Sequence, residues 1–89
     1  MDAARLGEIL KTKLGAVSVE VVDDSPLHAG HEGARSGGGH YSVTIVSELF
    51  EAKNPMERHR MVYRALESEM GREIHALALK TLAPGESRG

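Results

Sequence analysis

Apolar residues along this chain follow two rhythms, one of helical and one of strand period. Leu6, Ile9, Leu10 and Leu14 recur at three- and four-residue spacings, so they share one face of a helix. Asp2 is placed to cap that helix and Gly15 to stop it. Val17, Val19 and Val21 then alternate with Ser18 and Glu20, predicting a strand over Val17 to Val22. Asp23-Asp24-Ser25-Pro26 has the chemistry of a turn. Tyr41, Val43 and Ile45 alternate with Ser42 and Thr44, predicting a second strand from His40 to Ser47 with one apolar face. Asn54-Pro55-Met56-Glu57 combines a capping residue, a proline at the first helical position and a glutamate that can reach back. It predicts a second helix running to Met70, with Val62, Leu66 and Met70 on the buried stripe and Gly71 at its end. Ile74 to Leu82 reads as a third strand. Its bulkier face, Leu77 and Leu79, is expected against the helices. His75 shares that parity and would sit near the rim of the core.

The order helix, strand, strand, helix, strand predicts an α+β fold. The first two strands can pair antiparallel. The helix between the second and third favours a parallel crossover, giving a mixed three-stranded sheet with both helices on one face. The 89 residues support one core, expected over about 5–82, with 83–89 as a frayed tail. The connection from Asp23 to Gly39 holds five glycines besides His28 and His31, and connections of that length are commonly functional or disordered.

Hydrophobic residues make up 40% of the chain but aromatics only 3%, so the core must be aliphatic. The net charge of −2 argues against bulk electrostatic attraction to nucleic acid, leaving only a local basic patch for that role. Cysteine is absent, which excludes disulfides, thiolate metal sites and thiol nucleophiles. With no apolar run of membrane length and no signal-peptide core, a cytoplasmic location is expected. Catalysis is not expected. Ser25, His28 and Asp24 are neighbours in a turn, not a triad, and Gly37-Gly38-Gly39 lacks the Lys and Ser/Thr of a phosphate-binding loop.

The histidines carry the remaining chemistry. His59, between Arg58 and Arg60, reads as a solvated helix residue. His40, opening the second strand, reads as an imidazole hydrogen-bonded to nearby backbone. His75 differs, because a polar residue on an apolar parity needs a partner once buried. That partner is a backbone carbonyl or a metal. If the connection after the first strand approaches the third, His28 or His31 could meet His75. Two imidazoles make half of a metal site, and paired histidines ligate one iron of some [2Fe–2S] clusters.

Four segments carry a family resemblance: Glu20 to His28, His40 to Ser47, Arg58-His59-Arg60-Met61-Val62-Tyr63, and Ile74 to Thr81. Together they resemble the BolA family over about residues 5–84. The resemblance implies a fold similar to class II KH domains. It also implies an adaptor that pairs with a monothiol glutaredoxin, with or without a shared glutathione-ligated [2Fe–2S] cluster. On that pattern His75 is one metal ligand and His28 the other, with His31 as the local competitor. Such an adaptor is expected to be a monomer or weak homodimer on its own. Two positions depart from the pattern. Gly39 replaces a Glu or Thr, and Ala52 replaces a glycine shortly after Phe50. The family is also labelled as transcriptional regulators, which makes DNA the alternative partner. Arg58, His59, Arg60 and Arg64 on the second helix are the surface such binding would use. The same arginines could instead meet the glutathione or form ion pairs along the helix.

Overall fold

The computed structural model describes residues 1–24 and 39–86. Helix α1 (Ala3–Leu14) is capped by Asp2, whose carboxylate accepts from the Arg5 N–H at 2.8 Å. It ends at Gly15, whose φ of 56° is the left-handed conformation that glycine adopts without a Cβ clash. Strand β1 (Ser18–Asp23) pairs antiparallel with β2 (Gly39–Val46), and β2 pairs parallel with β3 (Ile74–Leu82). The sheet order is β1-β2-β3. A short 3-10 turn (Glu48–Phe50) and helix α2 (Pro55–Ala65) join the second and third strands.

The core lies between the helices and one face of the sheet. Leu6, Leu10 and Leu14 of α1 meet Tyr41, Val43 and Ile45 of β2 and Val62 of α2, with Leu66, Phe50 and Ile74 completing the cluster. Leu77 and Leu79 pack against it from β3, and Val19 and Val21 from β1. Each such aliphatic side chain contributes about 1.5–3 kcal/mol when fully removed from water. Val17 does not join its strand-mates. It lies before the strand's first paired residue and is 63% exposed, because it is past the end of the helix that covers Val19 and Val21.

Ser47 ties the layers together. It is fully buried, donates its hydroxyl proton to the Leu14 carbonyl at 2.8 Å and accepts from the Leu49 N–H at 3.1 Å. One side chain thus satisfies a carbonyl left open by the end of α1 and caps the 3-10 turn. Lys13 does a similar service across the layer, donating to the Ala65 carbonyl at the end of α2.

The capping box that starts α2 is complete, with Asn54 and Glu57 each accepting from the other's backbone N–H. The helix stops at Ala65, five residues before the expected Met70. Beyond Leu66 the chain tightens into turns, with the Leu66 carbonyl accepting from both Glu69 and Met70 and a bridge forming between Met70 and Ile74. Leu66 and Ile74 are both fully buried, so the chain must reverse within eight residues, which a continued helix would prevent. Residues 83–86, expected to fray, are fastened instead: Ala83 is buried and donates to a Glu86 carboxylate oxygen at 3.1 Å.

Ala52 holds a φ of 61°, the conformation for which glycine is suited. Ala52→Gly is therefore expected to raise stability by about 1 kcal/mol, less whatever the freer unfolded chain takes back. Urea denaturation checks this, and an unchanged or lower midpoint would contradict it.

Candidate functional site

Strands β2 and β3 run parallel, so their first residues lie at the same end of the sheet. Both begin with a residue followed by histidine. The pairing register is shifted by one residue there: Gly39 faces Ile74, but His40 faces Ala76. The extra residue on β3 is His75, a β-bulge. The bulge puts the Ile74 side chain into the core and turns His75 out to solvent. The expectation that His75 is buried on the Leu77/Leu79 parity is thereby corrected. Its parity is interrupted just where the strand begins.

The bulge brings two imidazoles together. The ring centres of His40 and His75 are 5.1 Å apart, with the planes tilted by 36°. With metal–nitrogen bonds of about 2.0–2.1 Å and tetrahedral angles, two imidazoles on one metal ion have ring centres about 5 Å apart. Beside them lies a shallow hollow of about 220 Å³ lined by Asp24, His40, Tyr41, Ala76, Leu77 and Ala78. Its floor is low because the alanines carry little side chain. The Asp24 carboxylate accepts from the Ser42 hydroxyl at 2.5 Å, and the Asp24 N–H donates to the His40 carbonyl at 2.7 Å. The Gly39 N–H donates to the Glu73 carbonyl at 3.0 Å. Asp24 and Gly39, which flank residues 25–38, are thus both anchored at this end of the sheet.

Tyr41 closes the site from within. Its ring lies so near Gly39 that a Cβ on that residue would stand 2.4 Å from Cε2, so a larger residue there would require the ring to shift. Gly39, which departs from the family pattern, is the residue this ring lies against. The phenol donates to the Met1 carbonyl at 3.1 Å. Burial, and then Asp23, Asp2 and Glu73, push its pKa above the ordinary value, keeping it a neutral donor.

His28 and His31 lie outside the described residues. His40, read from sequence as a local hydrogen-bonding residue, is the imidazole found beside His75. The signal was available: two parallel strands that both open near a histidine place those histidines side by side. Among the described residues no three His, Asp or Glu side chains gather closely enough to hold a metal ion. The His40–His75 pair is a two-ligand arrangement.

The α2 surface divides differently from the expectation. Arg58 is not on it. Only 8% exposed, Arg58 makes a bidentate pair with Glu86 at 2.6 and 2.9 Å, donates to the Lys53 and Thr81 carbonyls, and lies over the Phe50 ring. Its assignment to a nucleic-acid or partner surface is corrected: it is a clamp on the segment after β3. His59 is half-buried, while Arg60 and Arg64 are exposed.

The fold and this histidine pair can be set beside known proteins. The family model for BolA-like proteins matches residues 10–86. Protein BOLA1 of Arabidopsis thaliana chloroplasts is 39% identical over 96% of this chain and 55% of its own length. The Escherichia coli protein named DNA-binding transcriptional regulator BolA is 38% identical over the whole chain and 82% of its own length. The solved structure of BolA1 from Arabidopsis thaliana superposes with a TM-score of 0.80 at 37% identity, covering 97% of this chain and 95% of that one. The chain belongs to the BolA family. It spans little more than half the length of the chloroplast relative. No helix among the described residues is long and apolar enough to cross a membrane.

The clamp makes an acid-dependence prediction. The hydrogen bond from Arg58, and then that from the Ala83 N–H, hold the Glu86 pKa at about 2 against an ordinary 4.5. A carboxyl with a lowered folded-state pKa stabilises the fold fully above its unfolded value and loses that contribution as pH falls towards the folded one. Between pH 4.5 and 2 the melting temperature of the wild type should therefore fall more steeply than that of Glu86→Gln. Parallel curves in circular dichroism would remove the clamp from the acid response.

Proposed function

We propose that this chain is a non-catalytic adaptor that binds a monothiol glutaredoxin and shares its glutathione-ligated [2Fe–2S] cluster, within iron–sulfur or iron homeostasis. The observation that carries the reading is the exposed His75 imidazole at the bulge, 5.1 Å from His40. A ligand shared between two proteins must be reachable by the second, and an outward-turned imidazole meets that condition where a buried one would not. Paired histidines suit one iron of such a cluster, which supplies electron-transfer or cluster-transfer chemistry when bound.

His75 is the first ligand in this reading. His28 is the second by family resemblance, with His31 as its competitor, and both belong to the segment flanked by Asp24 and Gly39. His28 stands four residues beyond Asp24. His40 is a further candidate, its ring centre 5.1 Å from that of His75. This chain's part is to hold imidazoles in position and to dock the partner.

Duplex DNA is the weaker alternative. The name of the Escherichia coli relative favours it. Against it, Arg58 is committed to Glu86, and the chain as a whole is acidic.

Mixing the full chain with cluster-loaded monothiol glutaredoxin should alter the visible absorption and circular dichroism of the cluster. His75→Ala should abolish the alteration while leaving far-ultraviolet dichroism unchanged. His28→Ala, His31→Ala and His40→Ala, measured in parallel, identify the second imidazole by which one reproduces the loss. A wild-type chain that leaves the spectrum untouched would overturn the adaptor reading.

A further inference from the structure

The outer face of α2 carries a feature the cluster chemistry does not use. Glu57, Arg60 and Arg64 recur at spacings of three and four residues and form one stripe along the helix, and Lys53 stands just before its start. With Met61 they line a groove of about 230 Å³. All four charged residues are exposed. The Glu57 carboxylate is turned back to the helix start, where it accepts from the Asn54 N–H at 3.0 Å. Among the described residues, neither Lys53, Arg60 nor Arg64 forms an ion pair. Met56, 63% exposed, stands one helical turn before Arg60. The stripe thus offers three uncommitted cations around a methionine floor, with a second methionine beside it.

Two kinds of polyanion could answer such a charge pattern, and the apolar component separates them. Phosphate-driven binding gains from the number of phosphates neutralised and makes no use of methionine. Three cations on a chain of net charge −2 are a poor phosphate track. A protein helix carrying carboxylates every three or four residues, with apolar residues between them, matches both parts of the stripe. Flexible thioether side chains suit it, since they adapt to differing apolar partners. We propose that this groove docks an acidic amphipathic helix of a partner protein. Its carboxylates lie against Lys53, Arg60 and Arg64, and its apolar side chains against Met61 and Met56. The groove shares no lining residue with the hollow beside the histidines, so the peptide assay reads docking separately from cluster sharing.

Fluorescence anisotropy with a labelled helical peptide of interleaved Glu and Leu tests the proposal on the full chain. The same peptide with Gln for Glu, and a labelled DNA duplex, serve as comparison probes. The acidic peptide should bind, and binding should weaken with added salt. The double variant Arg60→Glu/Arg64→Glu should lose roughly tenfold or more in affinity, as the removal of close charge complementarity does elsewhere. Lys53→Glu, outside the helix, provides a second charge reversal should the double variant unfold. His75→Ala should bind the peptide like the wild type. Failure of the acidic peptide to bind, equal binding of the Gln peptide, full retention by the charge-reversed variants, or tighter binding of the duplex would each overturn the proposal.

Discussion

The pairing of β2 with β3 is the constraint on which the rest depends. Two parallel strands joined through a helix must align so that Val43 and Ile45 share a face with Leu77 and Leu79. Ile74 must also enter the core. Strict alternation cannot satisfy both demands, because Ile74 has the opposite parity to Leu77. The sheet resolves the conflict with one extra residue, and that residue is His75. Its outward orientation is therefore a consequence of core packing and comes without a dedicated structural device. The fully buried isoleucine next to it fixes the imidazole's place at the strand's beginning.

A similar division of labour runs through α2. Arg58 and Arg60 are two positions apart, which on a helix places them on widely different faces. One guanidinium turns inwards, covers Phe50 and holds the segment after β3. The other turns outwards beside Arg64. The three arginines that look equivalent in the sequence thus serve two unrelated ends, and only geometry distinguishes them. The buried one is satisfied by two backbone carbonyls and a bidentate carboxylate, the condition under which burial of a charge is tolerated.

Much of this fold is legible in the residue pattern, for specific reasons. Asp2, Gly15 and the Asn54–Glu57 box are local signals whose partners lie within three or four residues, and each marks its boundary correctly. The alternation through Tyr41, Val43 and Ile45 reports a burial that the structure bears out. What the pattern conceals is set by distant contacts. The end of α2 is decided by the need to bring Ile74 home. The burial of Arg58 is decided by Glu86, 28 residues away. The bulge is hidden because β3 is apolar on both parities, so a one-residue slip leaves no mark in its sequence. The neighbourhood of His40 and His75 is readable in principle from the parallel pairing of the two strand starts. His28 and His31 lie outside the described residues.

The anchoring of Asp24 and Gly39 at one end of the sheet has an evolutionary corollary. The entropic cost of closing a connection rises only with the logarithm of its length, by about 0.6 kcal/mol for each doubling. The stretch they bracket can therefore be lengthened, shortened or recomposed at little expense to the folded scaffold. A lineage could recompose that single tract while the aliphatic interior stays as it is.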